Sequence, residues 1–211
     1  MKEKNRKLIE SVSEISGELL LDSQITEGFL KEIPVVKTIF AFWNAHKSLQ
    51  EHFYFRKLNL FLQNIEDINE ADYYEFLKDA ESDKERFTNC ILLILDKIDD
   101  EMKAILIANA FKVYVEEKFS FEIFNKILVI INRSFYSDLT KISLFDEHEI
   151  LLTNNKQIES ESLEELFSSG LLSNVGFDGG SAEEDSGGTR YCLNKYGEIL
   201  LRIVKRSKLP F

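Results

Sequence analysis

Apolar residues recur at spacings of three and four through most of the chain, the period that lays them along one face of a helix. Leu8, Val12, Ile15 and Leu19 predict a first amphipathic helix ending near Asp22. A short second helix follows from about Gln24 to Ile33, because Pro34 disfavours helical backbone in the residue before it. From Val35 toward Ile65, the anchors Ile39, Trp43, Leu49, Phe53, Leu58, Phe61, Leu62 and Ile65 predict a long helix with a bend near Asn44 to Lys47. Polar start signals then divide the pattern. Asn69 stands before "EADYYEFL", Ser82 and Glu85 have capping-box spacing, and Ser120 precedes "FEIFNKILVIINR", each able to satisfy first-turn backbone donors. Asp99 and Asp100 separate two apolar segments, in the second of which Ala104, Ile107, Ala108, Phe111 and Tyr114 repeat at helical spacing. About seven helices with short connections predict an N-terminal multi-helix domain over residues 1–144.

Beyond residue 144 the pattern changes. "DEHEILLTNN" and "ESESLEELFSSGLL" predict two consecutive short helices, with Leu163, Leu166 and Phe167 inward and Gly170 closing the second. "LLSNVGF" and "TRYCLN" alternate as the arms of a hairpin whose tip is the insert from Asp178 to Gly188. The last helix starts at the cap Asn194 and turns Ile199, Leu200, Ile203 and Val204 inward. The predicted fold class is therefore mainly α, with a small β-hairpin inside a C-terminal module over residues 145–211.

The order helix, helix, strand, wing, strand, helix resembles the winged-helix superfamily. "YCLNKYGEILLRIV" is similar to that superfamily's ending "Y-x-L-T-x-x-G-x-x-L-L", with Asn194 in place of the threonine. The resemblance covers about the last 60 residues. In DNA-binding members it implies that the second short helix enters the major groove and that basic wing residues hold phosphate. Here that helix reads "SESLEELFSSG", with Glu159, Glu161, Glu164 and Glu165 in or near it and no arginine or lysine. The DNA-reading role does not carry over onto these residues. The segment from Leu30 to Leu62 is also similar to uncharacterised bacterial proteins with an "IP" helix start and an "RKL-x-x-FL"-like stretch, which implies a bacterial source.

Charge points the same way. With 37 acidic against 26 basic residues the chain carries −11, which opposes nonspecific attraction to polyanions. Cys90 and Cys192 have neither metal nor disulfide-framework spacing, and are read as two thiols in a reducing cytoplasm. The N-terminus has no cleavable apolar core, and Ile33 to His46 falls short of the roughly 20 apolar residues of a spanning helix.

A search for chemistry yields little. His46 and His52 are six residues apart rather than four, and His148 lies among Asp146, Glu147 and Glu149, so no shared metal site is predicted. The glycines at 179, 180, 187 and 188 lie inside the hairpin and precede no P-loop lysine. No cofactor, metal, small-molecule substrate or catalytic activity is expected, and Asp99 with Asp100 is read as a helix junction.

Three surfaces remain as candidates. An acidic wing contact comprises Glu183, Glu184 and Asp185, and a basic patch comprises Lys195, Arg202, Lys205 and Arg206. An aromatic band with Phe40, Trp43, Phe53, Tyr54, Phe55, Arg56 and Lys57 is either a partner or membrane surface or a central core helix. The expectation is a non-enzymatic bacterial cytoplasmic protein that acts through protein–protein interaction or self-association, with a defence-related setting as one context. The alternatives are a membrane-acting effector that inserts the Pro34 to Leu62 helix, and a DNA-binding winged-helix regulator that uses Arg202, Lys205 and Arg206.

Overall fold

The computed structural model describes residues 33–43, 49–79, 84–145, 151–152, 158–180 and 187–207. The chain is mainly helical, with a small antiparallel sheet near its C-terminus. It divides into two compact units, Met1–Lys118 and Phe119–Phe211. The division falls between two helices before residue 144, so the segment from Phe119 to Leu144 groups with the C-terminal unit.

The first unit contains α1 (Pro34–Trp43), α2 (Leu49–Ile65), α3 (Glu70–Asp79), α4 (Lys84–Lys97) and α5 (Lys103–Glu117). Pro34 opens α1, where its missing N–H removes no helical bond and its fixed φ suits the first turn. Both α1 and α2 fall along the long helix expected from Val35 to Ile65, and residues 44–48, the place of the expected bend, lie outside the described residues. Asn69 caps α3 as expected: its Oδ1 accepts from the backbone N–H of Ala71 at 2.9 Å and of Asp72 at 3.2 Å. Ser82 of the proposed capping box, and the helices expected before residue 33, lie outside the described residues.

Helix α5 is the axis of this unit. Every residue from Lys103 to Val115 is buried, more than the single predicted stripe, because Ile105, Leu106, Val113 and Val115 make its other faces apolar too. Phe111 meets Phe61 at 6.2 Å and stacks on Phe87 at 5.9 Å, while Tyr114 lies edge-on to Phe76 at 4.9 Å. Two lysines belong to this buried helix, and each reaches outward to an exposed carboxylate. Lys103 pairs with Asp99 at 2.5 Å, and Lys112 pairs with Asp67 at 2.8 Å. Stems and ammonium groups are both covered, and each buried charge is neutralised by a carboxylate that itself faces solvent.

The second unit runs α6 (Phe121–Arg133), α7 (Tyr136–Lys141), a 3₁₀ turn (Ile142–Leu144), β1 (Leu151–Leu152), α8 (Ser160–Ser168), β2 (Leu172–Asp178), β3 (Gly188–Leu193) and α9 (Lys195–Arg206). Ser120 caps α6 by accepting from Ile123 N–H. The strands pair antiparallel in the order β1-β3-β2. The hairpin of β2 and β3 matches the two arms read from the sequence.

Strand β1 corrects the expected helix "DEHEILLTNN". Leu151 pairs with Tyr191 and Leu152 with Arg190, so the open side of β3 overrides local helical preference. The remainder of that predicted helix lies outside the described residues. At the other end of the hairpin, Gly170 leaves α8 with φ at +81°, the left-handed geometry that glycine adopts without a Cβ penalty.

Asn194 then joins strand to helix. Its Oδ1 accepts from Tyr196 and Gly197 N–H at 2.9 and 3.1 Å, while its amide donates to the Gly170 and Leu172 carbonyls at 2.9 and 3.3 Å. One side chain therefore starts α9 and fastens it to the entry of β2. Beyond it, Ile199, Leu200, Ile203 and Val204 are buried as expected, and so are Leu163, Leu166 and Leu171.

Candidate interaction surface

Helix α8 has a sharply divided surface. Leu163 and Leu166 are buried, whereas Glu161, Glu164, Glu165 and Ser168 are exposed and recur at helical spacing on one side. Glu161 sits in the first turn, where its own backbone N–H, followed by the Ser160 hydroxyl, holds its carboxyl below the usual range. It stays ionised. Phe167 corrects the inward assignment: it is 41% exposed, although one side of its ring lies 5.1 Å from Tyr191 of β3.

A cluster beneath this helix pins it to α7. Ser162 Oγ donates to Asp138 Oδ1 at 2.7 Å and accepts from Lys141 Nζ at 2.6 Å, while Lys141 also reaches Glu159 at 3.0 Å. A serine beside a lysine amine suits nucleophilic catalysis when the hydroxyl is open and the amine is neutral. The hydroxyl is not open, since Ser162 is only 4% exposed and is engaged by both Asp138 and Lys141. The cluster orients α8. No periodicity in the sequence signals it, because its members come from two elements and mix charges with a hydroxyl.

The hairpin carries a second unpredicted feature. Asn174 pairs with Tyr191, but Gly176 pairs with Arg190 and Phe177 with Thr189, so Val175 is the extra residue of a β-bulge. Gly176 takes φ +125° there, a conformation that strains residues with a Cβ. The slip restores Phe177 to the face shared by Asn174, Thr189 and Tyr191. Phe177 is 75% exposed on that face.

The acidic wing residues Glu183, Glu184 and Asp185 lie outside the described residues. The basic set is spread along α9. Lys195 is in its first turn, with Nζ 4.9 Å from the Tyr196 ring, and Lys126 of α6 approaches the same ring at 4.6 Å. Lys205 and Arg206 are exposed in the last turn, about 15 Å away at 1.5 Å per residue. Arg202 is half-buried.

The aromatic band in the first unit is mixed. Phe55 is buried beside Leu58, Phe61 and Leu62, whereas Phe53, expected as an anchor, is 58% exposed. Tyr54 is half-buried, and its hydroxyl donates to Leu92 O at 3.4 Å; burial, with a smaller push from Asp96, raises its pKa to about 12. Arg56 pairs with Glu101 at 2.7 Å. Lys57 donates to the Asp96 and Ile98 carbonyls at 3.3 and 2.5 Å, closing the end of α4 where helical carbonyls lack partners. The basic residues of the band thus tether the α4–α5 junction. Phe40 and Trp43 belong to α1, and nothing further of their side chains is described.

An open groove of about 650 Å³ lies here, lined by Phe53, Arg56, Lys57, Asp99, Asp100 and Glu101. Its carboxylates serve the junction, in agreement with the sequence reading. Asp99 Oδ1 accepts from Asp100 N–H at 2.9 Å, and Asp100 Oδ1 from Met102 N–H at 2.8 Å. The Lys103 hydrogen bond is the main cause holding Asp99 below the ordinary carboxylate range. Among the described residues no three His, Cys, Asp or Glu converge as a metal-binding group, and no helix is long and apolar enough to cross a membrane. His46 and His148 lie outside the described residues, and both cysteines are half-buried thiols that form no disulfide.

Comparison with protein-family models, with curated proteins and with solved structures gives no match.

Proposed function

We propose that the C-terminal unit is a winged-helix-like module through which a non-enzymatic protein makes contacts with other polypeptides. The observation that carries this reading is the exposed side of α8, where Glu161, Glu164 and Glu165 project and the helix contains no lysine or arginine. A nucleic-acid-binding helix needs donors for base edges and positive charge for phosphate. This one offers carboxylates, which repel both backbone phosphates and anionic lipid headgroups. The antiparallel order β1-β3-β2 and the placement of α8 before the hairpin and α9 after it support the winged-helix likeness. So does the capping asparagine at the position of the superfamily's threonine.

The test is a direct competition for the purified full chain in its native host extract, using photo-crosslinkers placed at Glu164 and Glu165. Adducts to polypeptide that survive nuclease treatment are the expected outcome. Adducts that are mainly DNA or RNA, weakening steeply with salt, overturn the proposal in favour of a DNA-binding regulator.

A further inference from the structure

We infer that the face formed by α8 and the β2–β3 hairpin docks a basic, partly apolar segment of a partner protein, with Phe167 and Phe177 as its apolar anchors. This rests on the polypeptide-binding reading above and adds the location and chemistry of the contact. Phe167 is held from below by Tyr191, and the bulge at Val175 and Gly176 brings Phe177 onto the face of the same tyrosine, one pair further along the hairpin. Without the bulge, strict alternation would send Phe177 to the opposite side. A bulge that re-aims an aromatic ring into solvent costs regular pairing and gains no core burial, and bulges recur where a side chain must be redirected for use.

Electrostatics select the occupant. Glu164 lies one helical turn from Phe167, and Glu161 and Glu165 are exposed further round the same helix. Arg190, which pairs with Gly176, and Asp178, which pairs with Gly188, both belong to the other face of the hairpin. The α8 side of this face therefore carries carboxylates and no lysine or arginine. A second copy of this chain would bring −11 against −11, so like-charge repulsion disfavours it as the occupant. A segment that presents Lys or Arg beside Leu-sized side chains satisfies both the rings and the carboxylates. Desolvated aromatic anchors surrounded by polar groups are the usual arrangement of energetically dominant interface residues.

The experiment uses the full-length chain and a synthetic peptide alternating lysine and leucine, with a glutamate–leucine peptide as the charge-reversed control. Amide-resolved NMR maps the site, and titration gives affinity for wild type, F177S and F167S/F177S. Neither serine changes charge. Because Phe177 is mostly exposed, F177S keeps the melting temperature while F167S/F177S reports any loss of the Tyr191 contact. Expected are shifts concentrated on α8 and β2, and binding about tenfold weaker in F177S. Equal affinity in wild type and both variants, or shifts elsewhere, overturns the docking face while leaving polypeptide binding through another surface intact. Concentration-dependent self-association abolished by F177S makes a second copy the occupant and overturns the basic-segment assignment. If a DNA duplex shifts the same amides and the lysine–leucine peptide does not, the docking inference and the proposed function both fall.

Discussion

Tyr54 shows how one side chain connects burial to pH. Its phenol is half-buried against the Leu92 carbonyl, and its pKa is raised to about 12 from the ordinary value of 10.0. A raised folded value means that folding favours the neutral phenol. The associated stability is complete below the unfolded value and is lost as pH climbs from about 10 to about 12. Ultraviolet titration should show a late-ionising tyrosine component in wild type that is smaller by one residue in Y54F; identical late components in the two proteins contradict the assignment. At the same scale, several caps were legible in the sequence. Asn69, Ser120 and Asn194 occupy the positions their local patterns indicate, because a cap depends only on the next three residues. Phe53, Phe167 and Phe177 were not legible as exposed, since a hydrophobic period records which residues are apolar and not which neighbours cover them.

At the scale of elements, α9 makes a tight backbone approach to the entry of the hairpin. At Gly197 an added methyl carbon would overlap the Leu171 carbonyl oxygen and sit 3.0 Å from Leu193 Cδ2. Leu171 O already accepts the Asn194 N–H, so the clash falls on the connection that joins hairpin to helix. Backbone cannot rotate away as a side chain tip can. G197A is expected to lose about 2–3 kcal/mol, the usual cost of overpacking a closed contact, measurable by urea unfolding with an unchanged denaturant slope. An equally stable G197A would show that α9 shifts freely against Leu171. The glycine was visible in the "Y-x-L-T-x-x-G" likeness, but its physical reason required the packed helix. Strand β1 was invisible for the opposite reason: two leucines pair with residues far along the chain, and no local pattern encodes such a partner. The bulge was hidden as well, since one extra residue changes register only relative to the opposite strand.

At the scale of the molecule, alternation of elements and their class were readable because helical periods dominate both units. The division between units was less so. A short stretch such as Lys118 to Ser120 separates two helices without proline, glycine or a composition shift, and compactness rather than linker chemistry places the division there. The opening charge of −11 is also a whole-chain quantity, and it acquires meaning only when α8 turns its glutamates outward. Charge that is spread evenly governs solubility; charge gathered beside exposed rings selects partners.

Enclosing α5 on all sides also hides two primary amines. Lys103 is 1% exposed and Lys112 is 8% exposed, in contrast to Lys97, Lys126, Lys195 and Lys205 on the outside. Brief treatment with an acylating reagent, followed by peptide mass mapping, should modify the outer group and spare the inner two until the helices around them part. Equal labelling under native conditions would show that the enclosure breathes. The interior ammonium groups thus serve as an intrinsic gauge of integrity, readable without attaching any probe.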